Sequence, residues 1–313
     1  MKHEREESFI SIVVYVHNNE KHLQTFLETV CWGFFSNFEK YEFIFVDDSS
    51  TDNSTEILTE FVKSCAEGEY CIVHMGAFQG LESAMKAGVD LSIGDFIFEF
   101  DTVVVDYNLA LVREVFDLVK NGVDIVIASR NCPGVASKAF YGLFNRFSQL
   151  SVTLSPTTFS VVSRRTINRA DSMSVFIPYR KAQYAACNLD IKRILYCNDR
   201  HLEKQARQVN NKRANTAIDA IILFTGFAFR VSFFLSAVMV LFMVFSGIYV
   251  VVIYLSAAPV SGWAPIMGLL SAGFFGVFVI FSFIIKYLDL LLKTVFKRQN
   301  YLVSSIEKLK KEG

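Results

Sequence analysis

Two long uncharged stretches toward the C-terminal end constrain this chain more than any other feature. Val231 to Leu255 contains no Asp, Glu, Lys or Arg, and neither does Pro265 to Ile285. Each is about 20 residues or longer, enough to cross a hydrocarbon core of roughly 30 Å as a helix. A helix that is apolar on every side has no polar face to give to water. The connection SAAPVSGWA (Ser256–Ala264) is short and uncharged, which predicts an antiparallel hairpin with Trp263 at the far interface. Arg230 precedes the first stretch, and Lys286, Lys293, Lys297 and Arg298 follow the second, so the positive-inside bias puts both outer ends in the cytoplasm. Gly268, Ala272 and Gly276 recur every fourth position, a stripe suited to close packing within the hairpin or to homo-oligomerisation through it. The segment before the first stretch, NTAIDAIILFTGFAFR (Asn215–Arg230), is apolar but holds Asp219. Aspartate at mid-bilayer is costly, so an amphipathic helix lying in the interface is expected there.

The chain therefore divides by expectation into a cytoplasmic domain over 1–210, an interfacial helix over 211–230, two transmembrane helices over 231–285 and a cytoplasmic tail over 286–313. The N-terminal MKHEREES lacks the apolar core of a signal peptide, so the first domain is expected to stay unexported. The formal charge is +0, which excludes a bulk basic field for nucleic acid. Six cysteines without a CxxC pair read as free, buried thiols in a reducing compartment.

From Phe9 to Ala128 short β-branched runs alternate with helical stretches. Strands are expected at Phe9–Val16, Glu42–Val46, Tyr70–His74, Phe96–Phe100 and Val123–Ala128, and helices at Lys21–Val30, Ser54–Lys63, Leu81–Leu91 and Leu109–Lys120. This is the pattern of an α/β domain with a parallel sheet covered on both faces. Ligands in such sheets bind beyond the carboxyl ends of the strands. Three ends carry polar clusters: YVHNNE (Tyr15–Glu20), VDDSSTDNS (Val46–Ser54) and EFDTVVVD (Glu99–Asp106). Acidic groups gathered there suit a nucleotide's polar edges and a divalent cation. For Asp52 and Ser54 ordinary helix capping is the favoured reading. Asp47 sits inside the apolar run FIFVDD, where a buried carboxylate points to a ligand role.

VDDSSTDNS after a strand resembles the nucleotide-binding signature of family 2 glycosyltransferases, which share the Rossmann-like GT-A fold. Gly80–Asp101 (GLESAMKAGVDLSIGDFIFEFD) resembles the stretch leading to that family's metal-binding DxD. Lys286–Val303 (KYLDLLLKTVFKRQNYLV) and Asp219–Arg230 resemble the tail and the lead-in to the first membrane helix of polyprenyl-phosphate glycosyltransferases. That subgroup includes dolichol-phosphate mannose synthases and their bacterial GtrB-like counterparts.

The resemblance implies roles residue by residue. Tyr15, His17 and Asn19 stand in the nucleoside-contacting pattern at the end of the first strand, where His17 either meets a base or is a plain loop residue. Asp47 matches the aspartate that contacts base or ribose, and Asp48 fixes the turn beside it. Glu99 and Asp101 replace the DxD and are expected to hold Mg2+ or Mn2+ against the diphosphate. A glutamine that assists the metal in some relatives is Val103 here, leaving Asp106 as the nearest replacement ligand. Arg130 and Arg146 match phosphate-facing basic residues, against the alternative of surface solvation, and Arg200 and Arg207 are the best matches in an eroded basic segment. Guanidinium groups stay charged and grip phosphate in a fork. The implied activity is transfer of a sugar, with inversion, from a nucleotide-sugar donor to a polyprenyl (undecaprenyl or dolichyl) phosphate at a bacterial inner membrane. Asp101, Arg130, Arg146 and Arg207 would then be catalytic. Two other readings are a degenerate relative serving as a membrane-bound partner, and a glycosyltransferase acting directly on a glycan or glycolipid.

Overall fold

The computed structural model describes residues 6–35, 38–65, 68–131, 157–173, 180–196, 263–295 and 301–310, together with positions 234, 238, 241 and 245. The chain forms two units, Met1–Arg146 with Leu150–Ala220 and Gln299–Gly313, and Phe147–Gln149 with Ile221–Arg298.

In the first unit the order is β1 (Glu6–Val16), α1 (Glu20–Phe26) continuing as a π-helical segment (Leu27–Trp32), β2 (Phe38–Asp47), α2 (Ser54–Ser64) and β3 (Glu69–Met75). Then come α3 (Leu81–Leu91), β4 (Phe96–Phe100), α4 (Leu109–Lys120), β5 (Ile125–Arg130), β6 (Phe159–Ser163), α5 (Arg164–Ser172), α6 (Arg180–Ala186) and β7 (Ile191–Tyr196). The second unit contributes α7 (Trp263–Val295), after which β8 (Val303–Lys310) returns to the first. The five strands and four helices expected between Phe9 and Ala128 are all present. The fifth strand starts two positions later than expected and takes Arg130 as its last residue.

The sheet has eight strands in the order β7-β5-β6-β4-β1-β2-β3-β8. It is mixed rather than parallel throughout, which corrects the sequence expectation. β6 runs antiparallel between β4 and β5, and β8 runs antiparallel along β3. The segment expected as a tail thus carries the sheet's edge strand, pairing Glu69 with Lys310 and Val73 with Ile306.

Side chains of the central strands alternate between two cores, as a strand buried on both faces requires. Ile10, Ile12, Val14, Phe43, Phe45, Phe98 and Phe100 face α1, α2 and α4. Val13, Tyr15, Ile44, Val46 and Ile97 face α3, α5 and α6. The first core is built on aromatic edges: Phe35 meets Phe98 at 5.0 Å and 86°, and Phe38 meets Phe116 at 5.1 Å and 77°. Each such ring contributes roughly 1.5–3 kcal/mol by burial. On the opposite face α3 lies close against the strands through Gly88, where an added Cβ would come 2.4 Å from Val13 Cγ1 and 2.7 Å from Val46 Cγ2. That close approach carries the start of α3 up to the carboxyl end of β2.

Among the described residues no helix is long and apolar enough to cross a membrane, so the expected hairpin is not shown. Its first helix lies outside the described residues except at Phe234, Val238, Leu241 and Phe245, which are helical. Over the second, α7 is a continuous helix of 33 residues. Ile266, Leu270, Phe274, Val277, Phe281, Ile285 and Leu288 are exposed on it, at the three- and four-residue spacing of one helix face. The interfacial helix expected over 211–230 lies outside the described residues.

Candidate active site

β4, β1 and β2 are adjacent and parallel, so their carboxyl ends open side by side. Register sets Asp47 opposite Val16 and Phe100 opposite Val14, which brings the loops after all three strands together.

At the ends of β1 and β2 the expected nucleoside residues form one hydrogen-bonded cluster. Asp48 is fully buried and accepts from the backbone N–H groups of Gln79 and Gly80, both at 2.7 Å, and from the Tyr15 hydroxyl at 3.1 Å. Gly80 adopts φ 89° at the start of α3, a left-handed conformation that favours glycine. Asp48 therefore clasps the loop into α3. Asp47 accepts from Ser50 N at 3.0 Å and Thr55 Oγ1 at 3.2 Å, and lies 3.3 Å from His74 Nδ1. His74 Nε2 lies 3.5 Å from Glu307 on β8. His17 Nδ1 is 2.7 Å from the Asp48 carbonyl oxygen, which assigns the proton to Nδ1. The His17 ring stacks on Phe78 at 4.3 Å. Asn19 Oδ1 accepts from His17 N at 2.9 Å, and its backbone N–H donates to Ser54 Oγ at 2.9 Å, so Ser54 serves the loop before α1. Asp52 takes the first-turn N–H of α2 at Ser54, 3.1 Å away, and Glu20 N at 3.0 Å.

A second cluster forms at the end of β4. Antiparallel β6 sets Ser160 opposite Glu99, and α6 delivers Arg180, Lys181 and Tyr184. Glu99 accepts from Arg180 Nε at 3.2 Å, Ser160 Oγ at 3.2 Å and Tyr184 OH at 2.7 Å. Asp101 accepts from Arg180 Nη2 at 2.9 Å, and its other oxygen accepts from Lys181 Nζ. The backbone N–H of Arg180 donates to Glu82 at 3.0 Å. Burial alone would raise the Asp101 carboxyl, but the charges of Lys181 and Arg180 prevail and hold it below the ordinary aspartate range. Burial pushes the Glu82 carboxyl up, with Arg180 and Lys181 opposing. Burial, reinforced by Glu99, raises the Tyr184 phenol well above its usual value, so it stays a donor.

This arrangement bears on the expected metal site. Every carboxylate oxygen of Glu99 and Asp101 is already engaged, and two of the groups engaging them are cations. Among the described residues no group of three or more His, Cys, Asp or Glu side chains is arranged to hold a metal ion. In this geometry Glu99 and Asp101 do not fit Mg2+ or Mn2+. Asp106 does not fill the missing position either. Its Oδ1 accepts from Tyr196 OH at 2.9 Å, and its Oδ2 lies 2.5 Å from Arg130 Nε. That approach is an ion pair without hydrogen-bond alignment. Tyr196 also shares a 2.6 Å bond with Thr158 Oγ1, and burial, chiefly, pushes its phenol up to about 12.

The structure thus gathers Tyr15, His17, Asn19, Asp47 and Asp48 in one cluster, Glu99 and Asp101 in a second, and ties Arg130 to Asp106 in a third. Arg146, Arg200 and Arg207 lie outside the described residues. Sequence reasoning missed Arg180, Lys181, Tyr184 and Ser160. One signal was available: PYRKAQY (Pro178–Tyr184) carries a basic pair, and acidic residues in and just after the apolar run of β4, Glu99 and Asp101, require countercharge.

Known proteins resemble this chain along most of its length. An uncharacterized glycosyltransferase of the Synechocystis strain ATCC 27184 is 24% identical over 307 residues, covering 95% of each chain. The undecaprenyl-phosphate 4-deoxy-4-formamido-L-arabinose transferase of Pectobacterium carotovorum is 33% identical over 92 residues, 29% of this chain and 28% of that one. In fold, the chain resembles glucosyl-3-phosphoglycerate synthase from Mycobacterium tuberculosis, solved with Mn2+, UDP-glucose and phosphoglyceric acid. The TM-score is 0.51 at 13% identity, covering 68% of this chain and 79% of that one. Residues 11–177, which span β1 through the acidic end of β4 to α5, match the family model described as glycosyl transferase family 2. With its GT-A sheet and the polar ends of β1, β2 and β4, the chain belongs to glycosyl transferase family 2.

Proposed function

We propose that this glycosyltransferase moves a sugar from a nucleotide-sugar donor to a polyprenyl phosphate at the cytoplasmic face of a bacterial inner membrane. The observation that carries the reading is the pairing of a family 2 catalytic unit with a second unit whose helix α7 is uncharged from Pro265 to Ile285 and exposes a line of large apolar side chains. A lipid acceptor gives such a unit a direct purpose, because the substrate's phosphate lies at the membrane surface. The partial similarity to an enzyme named for undecaprenyl phosphate supports the same acceptor class. The Lys and Arg residues flanking the uncharged stretches support a cytoplasmic placement of the catalytic unit and both termini.

The donor lies across the ends of β1, β2 and β4. Asp47 and the His17–Phe78 stack offer hydrogen bonds and a flat surface to the nucleoside. The acceptor phosphate is anionic at neutral pH, so no strong general base is needed. One of its oxygens forms a bond to the anomeric carbon, and the electron pair of the breaking bond leaves with the nucleoside diphosphate. Alignment and neutralisation of the departing charge supply the rate. The chain should be purified whole in detergent and supplied with a pool of nucleotide sugars and undecaprenyl phosphate. Mass spectrometry should then find a sugar-charged lipid phosphate. Sugar appearing on a glycan, or on no acceptor at all, would reject the lipid-phosphate reading.

A further inference from the structure

We propose that Arg180 and Lys181 stand in for a divalent cation and bind the donor's diphosphate directly, so that donor binding needs no metal ion. The inference rests on the donor-binding reading above and specifies how the leaving diphosphate is held.

Four observations carry it. Arg180 and Lys181 are 3% and 8% exposed, and both reach the end of β4, beside the β1 and β2 loops assigned to the nucleoside. Together they bring two positive charges to Asp101, the charge of one divalent ion, and Arg180 bridges from Asp101 to Glu99. A metal ion approaching Asp101 would have to displace two cations that repel it. Finally, Arg180 Nη1 is buried and has no hydrogen-bond acceptor among the described residues. A buried guanidinium edge without an acceptor is costly, and a phosphate oxygen is the acceptor its fork geometry suits best. The Lys181 ammonium carries three donors, of which Asp101 takes one. Asp101 and Glu99 are then anchors that position the cations, rather than metal ligands.

The test is calorimetric titration of the whole purified chain in detergent with UDP, GDP and dTDP, in EDTA and again in Mn2+. At least one nucleoside diphosphate should bind with affinities that agree within about twofold in the two conditions. Binding that weakens by about tenfold or more in EDTA overturns the inference while leaving the donor reading intact. Absence of binding in both conditions overturns both. In EDTA, Lys181→Ala should weaken the nucleoside diphosphate by about tenfold, the loss expected for one charge-assisted contact, with little effect on the free nucleoside. Lys181→Arg should restore most of it. Because the alanine variant frees one Asp101 oxygen, Mn2+ should recover part of its loss and give a bound-ion signal in electron paramagnetic resonance. If Lys181→Ala instead weakens farnesyl phosphate and spares the nucleoside diphosphate, the pair serves the acceptor and the donor assignment fails. The EDTA comparison on the unaltered chain decides the matter even if the alanine variant does not fold.

Discussion

Two aspartates, both almost wholly buried and each just past the apolar run of a strand that flanks β1, are satisfied in opposite ways. Asp48 after β2 is held by neutral donors, two backbone N–H groups and a phenol. Asp101 after β4 is held by a guanidinium and an ammonium. Neutral donors belonging to the fold make a permanent clasp, because the carboxylate organises backbone that has no other partner. Cationic donors instead bring buried positive charge to the strand end. The same residue type thus does architecture at the end of β2 and charge placement at the end of β4.

The largest effect should come from breaking the clasp. Asp48→Ala leaves the N–H groups of Gln79 and Gly80 without their acceptor at the head of α3. Unfolding in denaturant should show a loss of about 3–5 kcal/mol, which no nucleoside diphosphate restores selectively.

Asp101→Asn should cost less, about 2–3 kcal/mol, because Arg180 keeps Glu99 as a partner. A bound nucleoside diphosphate should narrow this gap by supplying negative charge. The pH profile is a further check. The Asp101 carboxyl is held below its ordinary value, so the ionised pair's contribution is complete above the unfolded value of about 3.9 and is lost as pH falls through the lower folded value. The difference in melting temperature between the parent and Asp101→Asn should therefore stay level from neutrality to about pH 4 and shrink only below it. A difference that already shrinks between pH 7 and 5 would contradict the ion-pair account.

Tyr184→Phe is the mildest probe. It removes one 2.7 Å bond to Glu99 and leaves both cations in place. A stability loss of about 1 kcal/mol is expected, with nucleoside diphosphate binding changed by no more than about threefold. A large loss of binding would mean that Glu99, not Asp101, sets the position of Arg180.

The α/β alternation was legible because each strand from β1 to β5 is a local apolar run beyond which a polar loop begins. The acidic clusters stood out for the same reason. What escaped notice depends on distant pairing. β6 (FSVVS) runs straight into α5 without a turn signal, and its place between β4 and β5 is fixed only by tertiary contact. β8 (VSSIEKLK) is polar and lysine-bearing, as an edge strand is, so it reads as a tail. Arg180 and Lys181 lie some eighty positions from the carboxylates they serve. Nothing local to β4 reveals that a guanidinium and an ammonium from α6 engage its carboxylates.

The late arrival of β8 has a consequence for the making of the protein. β3 is closed by residues that a ribosome adds long after it, with Gln79 and Leu302 bonded across 223 positions and α7 synthesised between them. Until then the nascent sheet presents an unpaired edge along Glu69–Met75, an invitation to pair with a neighbouring chain. Completion of the sheet therefore waits until the whole of α7 has been made. A stalled or shortened product would be exposed at a place far from the break.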